Sequence, residues 1–232
     1  MLDIRIPISE IFASLSGEGL STGTPSIFVR TAGCNFSEDP MGRHNCAYCD
    51  TAYALYKEQG KEKTIVEIAN EVKACAGMSG YGIKDVILTG GDPLWHNNIK
   101  ELVDYLILMG FDVEIITNGS LPLWNNFKGI WSMDLKTPCS GNESYNLFKN
   151  LKLLRAKDSV KFVVAGQKDF DYVENILTHY VTKANIIIQP SWKKIEVSVV
   201  ADWVIKFKQT YGIKVRLGTQ VHKFIWGEKR GV

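Results

Sequence analysis

The chain has 232 residues, 45% of them hydrophobic and 22% charged, with a formal net charge of +2, which suits one soluble globular domain and gives no footing for an electrostatic nucleic-acid binder. No apolar run approaches the roughly 20 residues needed to cross a bilayer, and the opening stretch lacks the continuous hydrophobic segment of a secretory signal. Five cysteines, an odd number with three clustered, fit a reducing cytoplasm better than a disulfide framework.

In chain order, the first informative stretch is Ser14-Leu15-Ser16-Gly17-Glu18-Gly19, which sets a carboxylate between two glycines. A solvent-facing turn accounts for it, and so does a loop that offers Glu18 to a ligand. The apolar segment from Ser26 reads as a strand carrying one charge, Arg30. Pointing inward, that guanidinium needs an anionic partner, and a carboxylate on a substrate would serve. Pointing outward, it meets water. Cys34 follows, then eleven residues, then Cys46-Ala-Tyr48-Cys49-Asp50-Thr51. Three thiolates in one loop make a soft-metal site for zinc, copper(I) or an iron–sulfur centre. With His44 they would close a Cys3His zinc site. A four-iron cluster ordinarily takes four cysteines, so three would leave one iron open to a ligand.

The charged run from Lys57 to Lys63 reads as a solvated turn, after which helical and strand patterns alternate. Thr64-Ile-Val-Glu67 forms a capping box, and Ile65, Ile68, Val72 and Cys75 share one helical face. A short apolar strand at 85–89 ends in Thr89-Gly90-Gly91-Asp92, and a helix with Ile99, Leu102, Val103 and Leu106 stops at Gly110. Further strands are predicted near 112–116, 130–134, 159–164, 185–189 and 214–218, with helices near 143–153, 169–181 and 197–211. Such alternation indicates right-handed βαβ units and a mostly parallel sheet, whose ligands gather at the carboxyl ends of the strands.

Small or polar clusters stand at nearly all of those ends: Gly33-Cys34, Thr89 to Asp92, Thr117-Asn-Gly119, Asp134-Leu-Lys136, Val164-Ala-Gly166, Gln189-Pro190 and Gly218-Thr-Gln220. Turns alone favour the same residue types. The Gly90-Gly91 pair would let backbone approach a ligand with no Cβ in the way. His222, between Gln220 and Lys223 at the end of the last strand, can donate, accept or move a proton near neutral pH. Cys75 reads as core and Cys139 as a rim-loop residue without a ligand role.

Taken together, Ile11 to Gly19, Phe28 to Cys34, Cys46 to Thr51, Thr89 to Pro93, Asp134 to Pro138 and the tail from Gln220 to Val232 follow an order that resembles the radical S-adenosylmethionine (SAM) enzymes. Among these the chain resembles the 7-carboxy-7-deazaguanine synthases of queuosine and archaeosine biosynthesis. The resemblance implies one radical SAM domain over 1–232: an α/β fold, a partial, open (β/α) barrel of about six parallel strands, working as a cytoplasmic homodimer. Segment 33–51 would bind the cluster and segment 214–232 would contact the substrate.

Residue by residue, the resemblance implies a 4Fe–4S cluster on Cys34, Cys46 and Cys49, whose free iron chelates the amino and carboxylate groups of S-adenosylmethionine. Tyr48, Asp50, Gly91, Asp134, Leu135, Lys136 and Gln189 would line the adenosylmethionine pocket. Leu15, Ser16, Gly17, Glu18, Arg30, Thr89 and His222 would face the substrate, with Arg30, His222 and Glu18 closest to the chemistry. The Thr51 hydroxyl would bind a Mg²⁺ that also touches the substrate, a role that suits a hard, oxygen-seeking cation. The implied reaction begins with a 5′-deoxyadenosyl radical that takes the C6 hydrogen of 6-carboxy-5,6,7,8-tetrahydropterin; ring contraction and loss of ammonia then give 7-carboxy-7-deazaguanine. The implied partners are that pterin and a reductant such as a flavodoxin or ferredoxin, with no direct nucleic-acid or membrane partner.

Four positions depart from the family pattern. Ser16 replaces a common Gln, Ile116 replaces an acid, Asp92 replaces a Glu, and eleven residues rather than three separate the first two cysteines. Glu114 is a candidate to supply the missing acid from another rung of the same strand face. Two rival readings remain at this stage: a glycyl-radical enzyme activase with the same cluster, and a non-catalytic zinc-binding module.

Overall fold

In the computed structural model, which describes residues 4–37, 45–77 and 82–232, the described residues form nine strands in one sheet. These are β1 (Arg5–Leu15), β2 (Pro25–Thr31), β3 (Lys61–Thr64), β4 (Asp85–Gly90), β5 (Asp112–Thr117), β6 (Ile130–Asp134), β7 (Ser159–Val164), β8 (Asn185–Pro190) and β9 (Val215–Leu217). Five helices accompany them among the described residues: α1 (Ile65–Ala76), α2 (Ile99–Leu108), α3 (Gln167–His179), α4 (Val197–Tyr211) and α5 (Val221–Trp226). The strand order is β3-β1-β2-β4-β5-β6-β7-β8-β9, and every pairing from β2 to β9 is parallel. The parallel part therefore has seven strands against the six or so expected. β1 and β3 extend it antiparallel, so the sheet ends in two edges and does not close.

Side-chain alternation divides this sheet into two functions. Ile27, Val29, Val86, Leu88, Val113, Ile115, Trp131, Met133, Val160, Phe162, Ile186 and Ile188 are buried in the core cluster with the apolar faces of α1 to α4. The strand register places the intervening residues on the opposite face as neighbouring pairs: Arg30 beside Thr89, Ile116 beside Ser132, Asp134 beside Lys161, and Val163 beside Gln189. Apolar packing thus takes one face and leaves the other for polar groups.

Two predicted segments differ, and one strand lies outside the predicted set. β1 was not anticipated; its 11 residues pair along both β2 and β3, with a register shift between Ile8 and Glu10. The run read as a solvated turn includes edge strand β3, where charged side chains protect an open sheet edge. The helix expected near 143–153 is replaced by short 3₁₀ turns at Glu143–Tyr145 and Phe148–Lys152. Asn146 and Asn150 explain this, because each recurs at helical spacing but spends its amide on distant backbone. Asn146 bonds both the N–H (2.9 Å) and carbonyl (2.7 Å) of Lys136, and Asn150 bonds Leu123 N–H and the carbonyls of Gly119 and Leu121.

Candidate active site

The polar face opens into a cavity of about 590 Å³ at the carboxyl ends of the parallel strands. Cys34, Cys46 and Cys49 line it together with Leu15, Ser16, Gly17, Glu18, Arg30, Tyr48, Asp50, Thr51, Thr89, Gly91, Asp134, Lys136, Gln189 and His222. Of the predicted site residues, Leu135 is the exception. It is 1% exposed in the core, because the alternation that turns Asp134 and Lys136 inward turns the residue between them away.

The cysteine loop is held from several elements. Cys34 receives the amide of Asn118 at 3.9 Å, and the Asn142 amide lies 3.6 Å from Cys46 Sγ. Among the described residues no three His, Cys, Asp or Glu side chains converge on one ion position. His44, the candidate fourth zinc ligand, lies outside the described residues. Burial, reinforced by the Asp92 carboxylate, pushes the Cys34 thiol up to about 12, and burial also raises Cys49. These thiols ionise readily only beside a strong positive charge, as an iron centre provides.

Beside the cysteines, Tyr48 Oη, Asp134 Oδ1 and Gln189 Oε1 are buried without hydrogen-bond partners among the described residues. Buried polar atoms ordinarily have partners, so this trio fits a polar ligand in the cavity. Asp134 gives its other oxygen to Lys136 Nζ at 2.7 Å, and that ammonium sits 5.5 Å from the Tyr48 ring centre. Three thiols next to unpartnered oxygens suit an iron–sulfur cluster carrying adenosylmethionine.

The glycines also serve the packing of the strand ends. A Cβ on Gly91 would fall 2.1 Å from the Gly33 carbonyl oxygen, and one on Gly90, at φ 138°, equally close to that of Thr31. Their first role is therefore to let the end of β4 press against the end of β2, where Asp92 N–H bonds the Gly33 carbonyl at 2.9 Å. Asp92 itself is fully buried and accepts from Leu94 N, Thr117 Oγ1 and Asn118 N, which ties the turn after β4 to the end of β5. The Val164-Ala-Gly166 cluster does not reach the cavity; the Gly166 carbonyl caps the first turn of α3.

On the opposite wall, Arg30 has its anionic partner within the chain. Its Nε donates to Glu10 Oε1 at 2.7 Å, the same oxygen takes Tyr53 Oη at 3.0 Å, and Arg230 Nε binds Glu10 Oε2 at 3.0 Å. Arg230 also stacks 3.8 Å from the Tyr53 ring centre, which holds the C-terminal tail along the cavity. Ser16 is buried and its hydroxyl engages the Glu18 carbonyl and Ser21, so it is turned into its own loop. Ser21 in turn donates to Glu114 Oε2 at 2.9 Å. Glu114 thus braces the loop from beneath, while Ile116 occupies the cavity wall above it.

Helix α5 joins the two halves of the site. Lys223 Nζ binds Asp50 Oδ2 at 2.8 Å, Gln220 approaches the same oxygen at 3.3 Å, and Val221 N–H bonds the Gly17 carbonyl at 2.8 Å. Partial desolvation opposes ionisation of Asp50, which remains half-exposed, yet the ammonium groups of Lys223 and Lys161 bring the carboxyl down to about 2. Burial lowers His222, which outweighs the attraction of Glu18 and favours a neutral imidazole. Glu10, Tyr53, Lys161 and Arg230 were missed in the sequence; for Lys161 the signal was present, a single charge inside an apolar strand, as for Arg30.

An open parallel half-barrel with three cysteines at its mouth defines the radical SAM class, and the family model described as the Radical SAM superfamily matches residues 29–166. A 7-carboxy-7-deazaguanine synthase of Clostridium acetobutylicum is 38% identical over 97% of this chain and 98% of its own length. Another from Leptospira interrogans is 31% identical across the whole of both chains. The crystal structure of QueE from Escherichia coli shares the fold, with a TM-score of 0.71 and 23% identity over 94% of this chain and 95% of its own. The chain belongs to the 7-carboxy-7-deazaguanine synthase family of radical SAM enzymes. The activase and zinc-module readings are not favoured by these relatives.

Proposed function

We propose that the enzyme converts 6-carboxy-5,6,7,8-tetrahydropterin to 7-carboxy-7-deazaguanine with release of ammonia, within 7-deazapurine biosynthesis. The observation that carries this reading is one continuous cavity lined by the three cysteines, the Gly17–Glu18 loop, Arg30 and the C-terminal tail. Cys34, Cys46 and Cys49 would hold the 4Fe–4S cluster, and Tyr48, Asp134 and Gln189 would satisfy polar atoms of adenosylmethionine. When bound, the cluster and adenosylmethionine supply hydrogen-atom abstraction from the substrate; the protein supplies orientation and electrostatics. Arg30, oriented through its Nε by Glu10, presents its remaining N–H groups to the substrate carboxylate. His222, neutral and pressed on Gly17, holds or relays a proton at the pterin edge.

Thr51 lies in the cavity wall with its hydroxyl 3.2 Å from Asp50 Oδ1, so the two oxygens are placed to share a Mg²⁺ with substrate and water. We assign the chain to the cytoplasm, as a homodimer supplied with electrons by a flavodoxin or ferredoxin; no helix among the described residues is long and apolar enough to cross a membrane. The test is anaerobic reconstitution followed by turnover with carboxytetrahydropterin. Carboxydeazaguanine should form without stoichiometric consumption of adenosylmethionine, and the protein should carry iron and sulfide. Zinc at one per chain without iron would overturn the assignment.

A further inference from the structure

Lys161 is a buried cation that none of these roles uses. It lies on β7 between the core residues Val160 and Phe162, so strand alternation turns it into the cavity, where it is only 7% exposed. Burying an ammonium is costly unless it is paired. Its register neighbour Asp134 already holds Lys136 at 2.7 Å, which leaves Lys161 to the far side of the cavity. There its Nζ lies 3.0 Å from Glu18 Oε1, while Gln189 Nε2 donates to Glu18 Oε2 at 2.6 Å. Each carboxylate oxygen therefore has one fixed donor and keeps a second lone-pair direction free. The plane of Glu18 is set by two strands, although the residue itself sits on a loop.

We propose that Lys161 is a positioning residue for substrate selection: with Gln189 it holds Glu18 as an oriented carboxylate that accepts paired N–H bonds from the 2-amino-pyrimidinone edge of the substrate. This rests on the pterin reading of the cavity and adds a selection rule to it. A ring N–H beside an exocyclic amine presents two parallel donors, the same match that makes guanidinium–carboxylate pairs bidentate. The electrostatics agree. Burial opposes both charges, yet their mutual attraction prevails, with Glu18 displaced below its ordinary range and Lys161 above. Replacing the exocyclic amine by an oxo group would set an acceptor against the carboxylate, the kind of mismatch that polar sites reject strongly.

The test uses cluster-loaded enzyme without turnover, with two stable probes: 6-carboxypterin and 6-carboxylumazine, which has oxo in place of the 2-amino group. Binding is read by quenching of tryptophan fluorescence, since Trp192 lines the cavity. Wild type should prefer the pterin by on the order of 100-fold. Lys161→Met should weaken pterin binding about 10- to 100-fold and leave lumazine binding nearly unchanged. Lys161→Arg should restore most of the preference, and Lys161→Met added to Glu18→Gln should have no further effect. A folded Lys161→Met that keeps wild-type preference overturns the proposal while leaving the pterin reading intact. Wild type that binds neither probe overturns both. Should Lys161→Met fail to fold, Glu18→Gln decides: unchanged selectivity there overturns the proposal.

Discussion

A Cβ placed on Gly17 would fall 1.8 Å from Nδ1 of His222. The loop after β1 and the helix after β9 therefore meet at a distance only glycine permits, and the Val221–Gly17 backbone bond of 2.8 Å fixes that contact. Gly17→Ala should push His222 out of place and lower kcat/KM at least about tenfold, in line with the sensitivity of reactive geometry to small displacements. Iron content should be unchanged, because the amides that reach the cysteine sulfurs come from Asn118 and Asn142, away from this pair. Wild-type turnover of the variant would show that the position of His222 is immaterial.

The Glu10–Arg30 pair makes a different prediction. In Arg30→Ala the carboxylate of Glu10 keeps Tyr53 and Arg230, so the wall should remain folded. What is lost is the guanidinium that faces the cavity. KM for the carboxylated pterin should rise about 10- to 100-fold, the scale of a charge-assisted hydrogen bond, with cluster absorption intact. Equal KM values in variant and wild type would remove Arg30 from substrate binding.

Much of this site could be read from the chain because one physical pattern wrote it. Strand runs such as 85–89 and 185–189 are apolar and short, and the small or polar residues at their ends mark the carboxyl ends where the cavity opens. What stayed hidden depended on contacts far apart in sequence. Nothing local says that Arg230 reaches Glu10, or that Asn146 and Asn150 staple loops instead of continuing a helix. Leu135 fell to the core for a reason that alternation alone contains, and Lys161 was legible by the same rule.

Asp92 predicts a pH effect on stability. Burial outweighs its three donors and pushes the carboxyl up to about 6. An acid whose folded value exceeds its unfolded value of about 4 contributes most below that pH and loses the contribution as pH rises through 6. Asp92→Asn cannot ionise and lacks one acceptor, so it should be less stable throughout. The advantage of wild type over this variant, measured by denaturant titration of cluster-free protein, should shrink by on the order of 2 kcal/mol from pH 4 to pH 7. A constant gap would mean that Asp92 titrates as an exposed carboxyl does.

Thr51 provides the metal test. Its hydroxyl and the Asp50 carboxylate stand 3.2 Å apart, and Lys223 neutralises Asp50 from the other side at 2.8 Å. A divalent cation there must compete with that ammonium, so occupancy should depend on substrate bringing its own carboxylate as a further ligand. With Mg²⁺ removed by chelation, wild-type turnover should fall and recover on titration of Mg²⁺. Thr51→Val, nearly the same size but without the oxygen, should need about tenfold more Mg²⁺ for half-maximal rate, on the scale of one lost polar contact. Thr51→Ser should restore the wild-type requirement, since it returns the hydroxyl. If Thr51→Val responds to Mg²⁺ as wild type does, the hydroxyl is no ligand and its bond to Asp50 merely orders the cysteine loop.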